Sequence, residues 1–579
     1  MEGVRARGVG VGGRPVEAAA PTALLLLLSP CQTEAVLDLA TDEWVVNTPD
    51  DAALKWWIGN AAEDGQMATV FARLKIPSPG GAVADHGVHA FVVPIRDGRR
   101  GEAGLLPGVQ ILDCGYKVRG GEAGRGRGVR ERARGAASAA RGRRARRAPR
   151  QPLTPTTPAH RAPPRQVGLQ GVDNGALRFT DVRIPRDHLL DRFATVDARG
   201  AYASPHTPGK RFAATLGELT GGRVGLTGSS VAVLKAALTV AIRYSATRVQ
   251  FGPPGGPEVA VLDYPSQQDR LMPALATAYG LHFASRTLVR LYVAAKAAPA
   301  DDAVADVHSL SAGLKAYATR FTAGALSTCR ECCGGHGYAA ANRMGAWRSD
   351  HDIFQTFEGD NTVLLQQVAG LLLKRYKDRF SSHPLAASTA YVRAWAGRAL
   401  PANPLLAHDT SPAHLRDRAF LRAALRHRAR RLLFTAAARL AKHTKRVGAF
   451  AAWSKCLPHL LHLATAHVEA VIHDELAAGA AAAPTAGGAR AALTAAADLF
   501  ALDRIEADIM FRNDEFVAAD KAKAISKVAT ALKAQLRGAA LPMVAAFSIP
   551  DAILRAPIGV TSVLTDPYKA YLRSTGFDC

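Results

Sequence analysis

The chain changes character once, and that change limits its architecture more than any other feature. From Thr33 to about residue 198, short runs rich in Val, Ile and Phe are separated by Gly, Pro and Asp. These runs are Glu43 to Asn47, Met67 to Ile76, Val88 to Ile95, Val109 to Cys114 and Ala176 to Ile184. From Phe212 onward apolar residues recur at helical spacing: Phe212 to Arg248, Tyr264 to Ala298, Val304 to Cys332 and Glu358 to Phe380, then about 416–443, 449–478, 488–509 and 515–538. Strands first and helices after, without alternation, predict an α+β chain that is mostly α. Local signals add detail. Asn174-Gly175 predicts a tight type I′ turn, Gly221-Gly222 a soft point in the first helix, and Asp301 or Asp302 an N-cap. Residues 381–413 read as a linker, and the Ala-rich 477–495 as a loop with helical propensity.

Composition narrows the classes. With 48% hydrophobic residues the chain can bury large cores, which excludes wholesale disorder. Seven scattered cysteines exclude a disulfide scaffold and fit a reducing compartment. No stretch of 18 uninterrupted apolar residues is present, so no membrane span is expected. The net charge of +24 suggests nucleic acid until it is located. Between Arg119 and Gln166 stand fourteen Arg and two Glu, half of the excess, with no aromatic residue. This segment reads as a disordered insert in the β region and offers no element that reads bases, so no nucleic acid is expected as partner. Residues 1–32 also differ from the rest of the chain. Arg5, Arg7 and Arg14 precede an apolar run from Ala18 to Leu28, which has the outline of a signal peptide. Pro21 breaks that run and no small-x-small cleavage site comes after it, which argues against one.

Three stretches could carry chemistry. In Lys55-Trp56-Trp57-Ile58-Gly59-Asn60, strand alternation predicts one buried Trp and one that faces a pocket; ordinary core plus turn is the plainer alternative. In Arg248-Val249-Gln250-Phe251-Gly252, the Arg at a helix end could grip a phosphate or only face the helix dipole. The densest is Cys332-Cys333-Gly334-Gly335-His336-Gly337-Tyr338, followed by Phe357-Glu358-Gly359-Asp360-Asn361-Thr362. Its glycines let backbone N–H groups approach a ligand, and Glu358 at a helix start could be a partly desolvated base or a plain helix-start acid. Cys329-x-x-Cys332 has no second ligand pair, so no metal is expected.

Taken in order, these stretches resemble the peroxisomal acyl-CoA oxidases, closest to the plant long-chain type. The resemblance rests on TDEWVVNTPDDAALKWWIGNAA (41–62), GVHAFVVPIRD (87–97), GVDNGALRFTDVRIPRDHLL (171–190), KRFAATLGELTGGRVGL (210–226), QFGPPGGPEVAVLDYPSQQ (250–268) and STCRECCGGHGYAAANRMGAWRSDHDIFQTFEGDNTVLLQQV (327–368). It continues weakly through DKAKAI (520–525) and RAPIGV (555–560).

The resemblance implies an acyl-CoA dehydrogenase/oxidase-like fold. Its parts would be a β-barrel-like middle domain (33–198, interrupted by 119–166), a helical FAD domain (208–380), a linker (381–413), a second helical domain (414–560) and a tail (561–579). The family's N-terminal helical domain is missing from this reading. Glu358 matches the family's catalytic base, which takes the α-proton of an acyl-CoA while the β-hydrogen leaves as hydride to flavin. Trp57 and Gly59 match residues at the flavin edge. Arg248, Gln250 and Phe251 match the segment that holds the FAD pyrophosphate of a partner subunit, so a homodimer is implied. Gly334, Gly335 and Gly337 match the glycine turn near the cofactor, and Asn361 and Thr362 the FAD-contacting helix start. The implied reaction is the first step of peroxisomal fatty acid β-oxidation, with O2 as acceptor and H2O2 as product.

Two departures stand out. The basic segment splits a continuous family stretch between Val118 and Val167, and both it and residues 1–32 end in Gln after Leu-, Ser- or Pro-containing sequence. Both segments therefore read as translated intron, which transcript sequencing checks. The C-terminal Gly576-Phe577-Asp578-Cys579 is not an SKL-type signal, so a peroxisomal location rests on the resemblance alone. The competing readings are an acyl-CoA dehydrogenase, which the helical region after 415 disfavours, and an inactive truncated homologue.

Overall fold

A computed structural model describes residues 32–78, 80–115, 169, 171–217, 219–382, 408–513 and 516–560. Residues 1–31, the insert 119–166, most of the linker and the tail lie outside these, and so do the readings made of them.

Among the described residues the β region holds ten strands: β1 (Glu34–Asp38), β2 (Glu43–Asn47), β3 (Lys55–Gly59), β4 (Met67–Pro77), β5 (Val83–Pro94), β6 (Val109–Asp113), β7 (Asn174–Phe179), β8 (Val182–Pro185), β9 (Thr195–Val196) and β10 (Tyr202–Ala203). They form a five-stranded sheet in the order β5-β4-β1-β2-β8, a three-stranded sheet β3-β7-β6 and the pair β10-β9. Burial alternates along β4, as expected of a strand with one face on a core. The two larger sheets share one apolar core, centred on Trp44, Phe91, Leu37, Leu74, Leu177 and Phe179. Trp44 meets Phe91 edge to face at 5.3 Å.

Three strand readings are corrected. The run Ala176 to Ile184 is two strands in different sheets, divided at Asp181, whose φ is +49°. Asn174-Gly175 makes no type I′ turn, because both residues lie inside β7. The glycine serves packing there: a Cβ on Gly175 would fall 2.8 Å from Ile111. Nor is either tryptophan of β3 core, Trp56 being 51% and Trp57 55% exposed. A register irregularity between Lys55 and Ile58 and a φ of +63° at Trp57 break the alternation that the expectation assumed.

The helical region comprises α1 (Pro208–Gly217), α2 (Leu219–Thr247), α3 (Pro265–Ala297), α4 (Asp301–Cys332), α5 (Met344–Asp352), α6 (Asn361–Ser382), α7 (Arg418–Ala482), α8 (Ala489–Ala507) and α9 (Ala519–Ala545). Helices α2, α3 and α4 pack together, α6 packs on α4 and α7, and α7, α8 and α9 cover α3. One continuous core therefore joins the first helical set to the second, from Leu238 and Leu275 to Phe500 and Leu532.

Here too some readings change. α2 runs unbroken through Gly221-Gly222. Ala300, not an aspartate, is the N-cap of α4; Asp301 and Asp302 occupy its first turn, where negative charge suits the helix dipole. The Ala-rich 477–495 is mostly helix, interrupted over 483–488, where Gly487 and Gly488 both have positive φ. The patterns 416–443 and 449–478 stand as two helical stretches within Arg418–Ala482, divided at Gly448, whose φ of +79° and ψ of 167° are not helical. α2 also has the length and mean hydropathy (1.6) of a span, although no 18-residue run in it is uninterrupted. It lies in the middle of the helical core, with more than half of that window buried.

Candidate active site

The turn before α6 places two successive residues at positive φ. Glu358 has φ +54° and Gly359 φ +107°. A non-glycine residue there costs on the order of 1–3 kcal/mol unless its surroundings hold it. Here they do. Arg223 Nε donates to the Glu358 carbonyl at 3.1 Å, and Lys315 Nζ donates to the Gly359 carbonyl at 2.7 Å. Asp360 caps α6 through the Thr362 N–H at 2.8 Å.

This backbone aims the Glu358 side chain at α2. Its carboxyl atoms lie 2.7–2.9 Å from the position a Cβ would take on Gly222, so the glycine is what admits it. On the adjacent Gly221 a Cβ would stand 2.9 Å from the Tyr292 hydroxyl. Glu358 Oε2 is buried and has no hydrogen-bond partner, and so is Nη1 of Arg223. Burial lowers the pKa of Arg223, opposed by the charge of Glu358.

The site's other predicted segments divide in two. At the end of α2, Arg248 to Phe251 pairs with Val259 to Val261: Gln250 N–H donates to Val259 O at 3.0 Å and Val259 N–H to Phe251 O at 2.7 Å. Gly252 is required there, since a Cβ would lie 2.2 Å from Pro257 O. Phe251, φ +61° and 72% exposed, projects from this turn, and the Gln250 side chain is exposed. The glycine turn follows α4 next to it. Gln267 Nε2 bridges Ser245 Oγ and Cys332 O, each at 2.9 Å, and Tyr244 packs on His336 at 5.8 Å. Burial and the Arg248 guanidinium lower the pKa of His336. Gly334 and Gly335 are exposed with nothing within 4 Å of an added Cβ, whereas Gly337 is a packing glycine whose Cβ would strike Arg330 O at 2.0 Å. Cys329, Cys332 and Cys333 are buried thiols, all with pKa raised, first by burial.

Trp57 and Gly59 lie on β3, which packs on β7 in the β region. The loop after them is held firmly. The buried Arg96 guanidinium donates to Ala61 O, Ala62 O, Gly65 O and Gly101 O at 2.6–3.0 Å, while Asp173 accepts the N–H groups of Ala62 and Glu63 at 2.8 Å. Asn361 turns inward, accepting from Lys315 at 3.1 Å and donating to Thr319 at 2.9 Å; Thr362 is exposed. Sequence reasoning missed Gly222, Arg223 and Lys315. The available signals were a glycine pair inside a strong helix and one lysine in an apolar stretch of α4.

Residues 216–373 match the model of the acyl-CoA oxidase C-alpha1 domain, and 417–562 that of acyl-CoA oxidase. The peroxisomal acyl-coenzyme A oxidase 2 of Arabidopsis thaliana is 50% identical over 550 residues, which is 94% of this chain and 72% of that protein. Among solved structures, Arabidopsis thaliana acyl-CoA oxidase 1 superposes with a TM-score of 0.75 at 26% identity, over 95% of this chain and 74% of that one. Caenorhabditis elegans acyl-CoA oxidase-1, complexed with FAD and ATP, gives 0.72 at 26% identity, over 95% and 72%. The fold is that of an α+β, mostly α oxidoreductase, with its candidate carboxylate at a helix start. The chain belongs to the acyl-CoA oxidase family.

Proposed function

We propose that this chain converts an acyl-CoA and O2 to trans-2-enoyl-CoA and H2O2, with Glu358 as the base that takes the α-proton. The observation that carries the reading is the Glu358 carboxylate: one oxygen is buried and free of hydrogen bonds, in a notch that Gly222 leaves open. A buried carboxylate oxygen is ordinarily paired, so an unpaired one is lone-pair capacity held for a ligand. A carboxylate within reach of a proton made acidic by a thioester carbonyl is suited to general-base work.

FAD fits the surfaces that the predicted segments present. Trp57 and Phe251 have exposed rings, Gly334 and Gly335 leave backbone open to close approach, and Arg248 and Gln250 flank the turn that carries Phe251 at the end of α2. Thr362 opens on the same helix start as Glu358, with Gly59 beside Trp57. FAD, when bound, supplies the acceptor for the hydride that leaves the β-carbon. Asn361 fits as a support rather than a contact, because its amide is already bonded to Lys315 and Thr319. Gly337 likewise shapes the turn. The exposed Phe251 and Tyr338 support a second copy of the chain as the partner that completes the cofactor site; sedimentation of the flavoprotein tests it. A peroxisomal setting follows from the name of the Arabidopsis relative, and co-distribution of a fluorescent fusion with a peroxisomal marker checks it.

The deciding experiment is Glu358→Gln, which keeps size and hydrogen-bonding capacity but not basicity. Peroxide formation should fall by at least about 1,000-fold, within the range for losing a positioned base plus its charge, while flavin absorbance is retained. Turnover near the unsubstituted rate removes Glu358 from the role.

A further inference from the structure

Two cations that take no part in the proposed proton transfer sit under the Glu358 turn. Arg223 comes from α2 and Lys315 from α4, and both are buried, Lys315 fully. They hold consecutive carbonyls, those of Glu358 and Gly359, at 3.1 and 2.7 Å. Those carbonyls belong to two successive residues in positive-φ conformations, the second of which Leu364 closes against any side chain, 2.8 Å from an added Cβ. Lys315 also fixes Asn361 Oδ1 at 3.1 Å, which ties the turn to the first residue of α6.

Resting on the reading of Glu358 as base, we infer that Lys315 and Arg223 are positioning residues that pull these two carbonyls inward and so aim the Glu358 carboxylate across Gly222. Burying a cation costs several kcal/mol, roughly, unless charge-assisted hydrogen bonds offset it. An apolar side chain would pack α4 at less cost, so helix packing alone does not account for a lysine here. Burial brings the Lys315 pKa to about 8; Asp360 opposes the fall, Arg223 adds to it and Glu358 opposes it. The buried Lys315 ammonium thus feels the buried Arg223 as well as the carboxylates of Asp360 and Glu358.

The test is Lys315→Met in the full chain with FAD, assayed per bound flavin. The expected result is a 10- to 100-fold fall in kcat with KM for acyl-CoA changed less than threefold. Flavin absorbance should be unchanged, and the primary isotope effect with α-deuterated substrate larger, because proton abstraction has become the slow step. Lys315→Gln, which keeps an N–H donor for Gly359 O, should recover part of the rate. A lower yield of flavoprotein with kcat per flavin unchanged would show a merely structural lysine and overturn the inference. If Lys315→Met does not fold, Lys315→Gln and Arg223→Lys are read by the same measures, and unsubstituted kcat and isotope effect in both overturn it. Glu358→Gln, run alongside, separates the two ideas. Activity in that variant defeats the base assignment, whereas an inactive Glu358→Gln beside a normal Lys315→Met defeats only the positioning role.

Discussion

Glu358 and Gly222 share one volume: the carboxylate of the first fills the space a side chain on the second would need, at 2.7–2.9 Å. Substituting Gly222→Ala sets two effects against each other. Alanine gains up to about 1 kcal/mol of helix propensity in the first turn of α2, where Gly222 stands. The clash falls on the far end of a flexible glutamate rather than on backbone, so the carboxylate can swing aside at little cost. The variant should thus melt at or above the unsubstituted temperature yet lose peroxide formation by 10- to 100-fold. Loss of stability with unchanged turnover per flavin would contradict this.

A second prediction concerns how the two helical sets are joined. Glu469 of α7 is buried and bonded to Arg428, to the Tyr317 hydroxyl of α4 at 3.2 Å and to Arg504 of α8 at 3.4 Å. Removing it in Glu469→Ala leaves Arg428 with only Asp508 and His462. The cost should be about 3 kcal/mol, the lower end for breaking a buried pair. Chemical denaturation measures it, and replacing both Arg428 and Glu469 by apolar residues should cost less than the single change.

Acid should unfold the chain in a definite window. Burial, the largest cause in each case, lowers His89, His282, His308, His351 and His473 to about 4. Their unfolded value is 6.5, so between pH 6.5 and 4 the unfolded chain binds protons that the folded chain refuses. Stability from these groups is therefore complete above pH 6.5 and is lost as pH falls through 4. Each contributes a slope of up to about 1.4 kcal/mol per pH unit in that window. Thermal midpoints taken from pH 7.5 to 4 should fall steepest below 6.5; a flat profile would count against buried neutral histidines.

Much of the fold was legible in the sequence because it was written in periodicity: the change from strand to helix, the helix limits near Ala297 and Cys332, and the break by Gly448. What failed was set by non-local neighbours. Asn174-Gly175 resembles a turn locally, yet Ile111 and Ala61 use its glycine for close packing. Trp56 and Trp57 look like core until the irregularity in β3 turns both outward. In the site, Glu358 and the glycine turn announced themselves by residue type. Arg223 and Lys315 did not, because what marks them is the pair of carbonyls they meet.

Those carbonyls lie 135 and 44 residues away along the chain from the cations that hold them. The Glu358 turn thus has no local origin, and long-range contacts are costly to close before they are rewarded. On the reading of Glu358 as base, the aiming of its carboxylate is expected to come late in folding. A chain leaving the ribosome, or refolding from denaturant, can hold α2 and α4 as helices while the carboxylate between them is still unaimed.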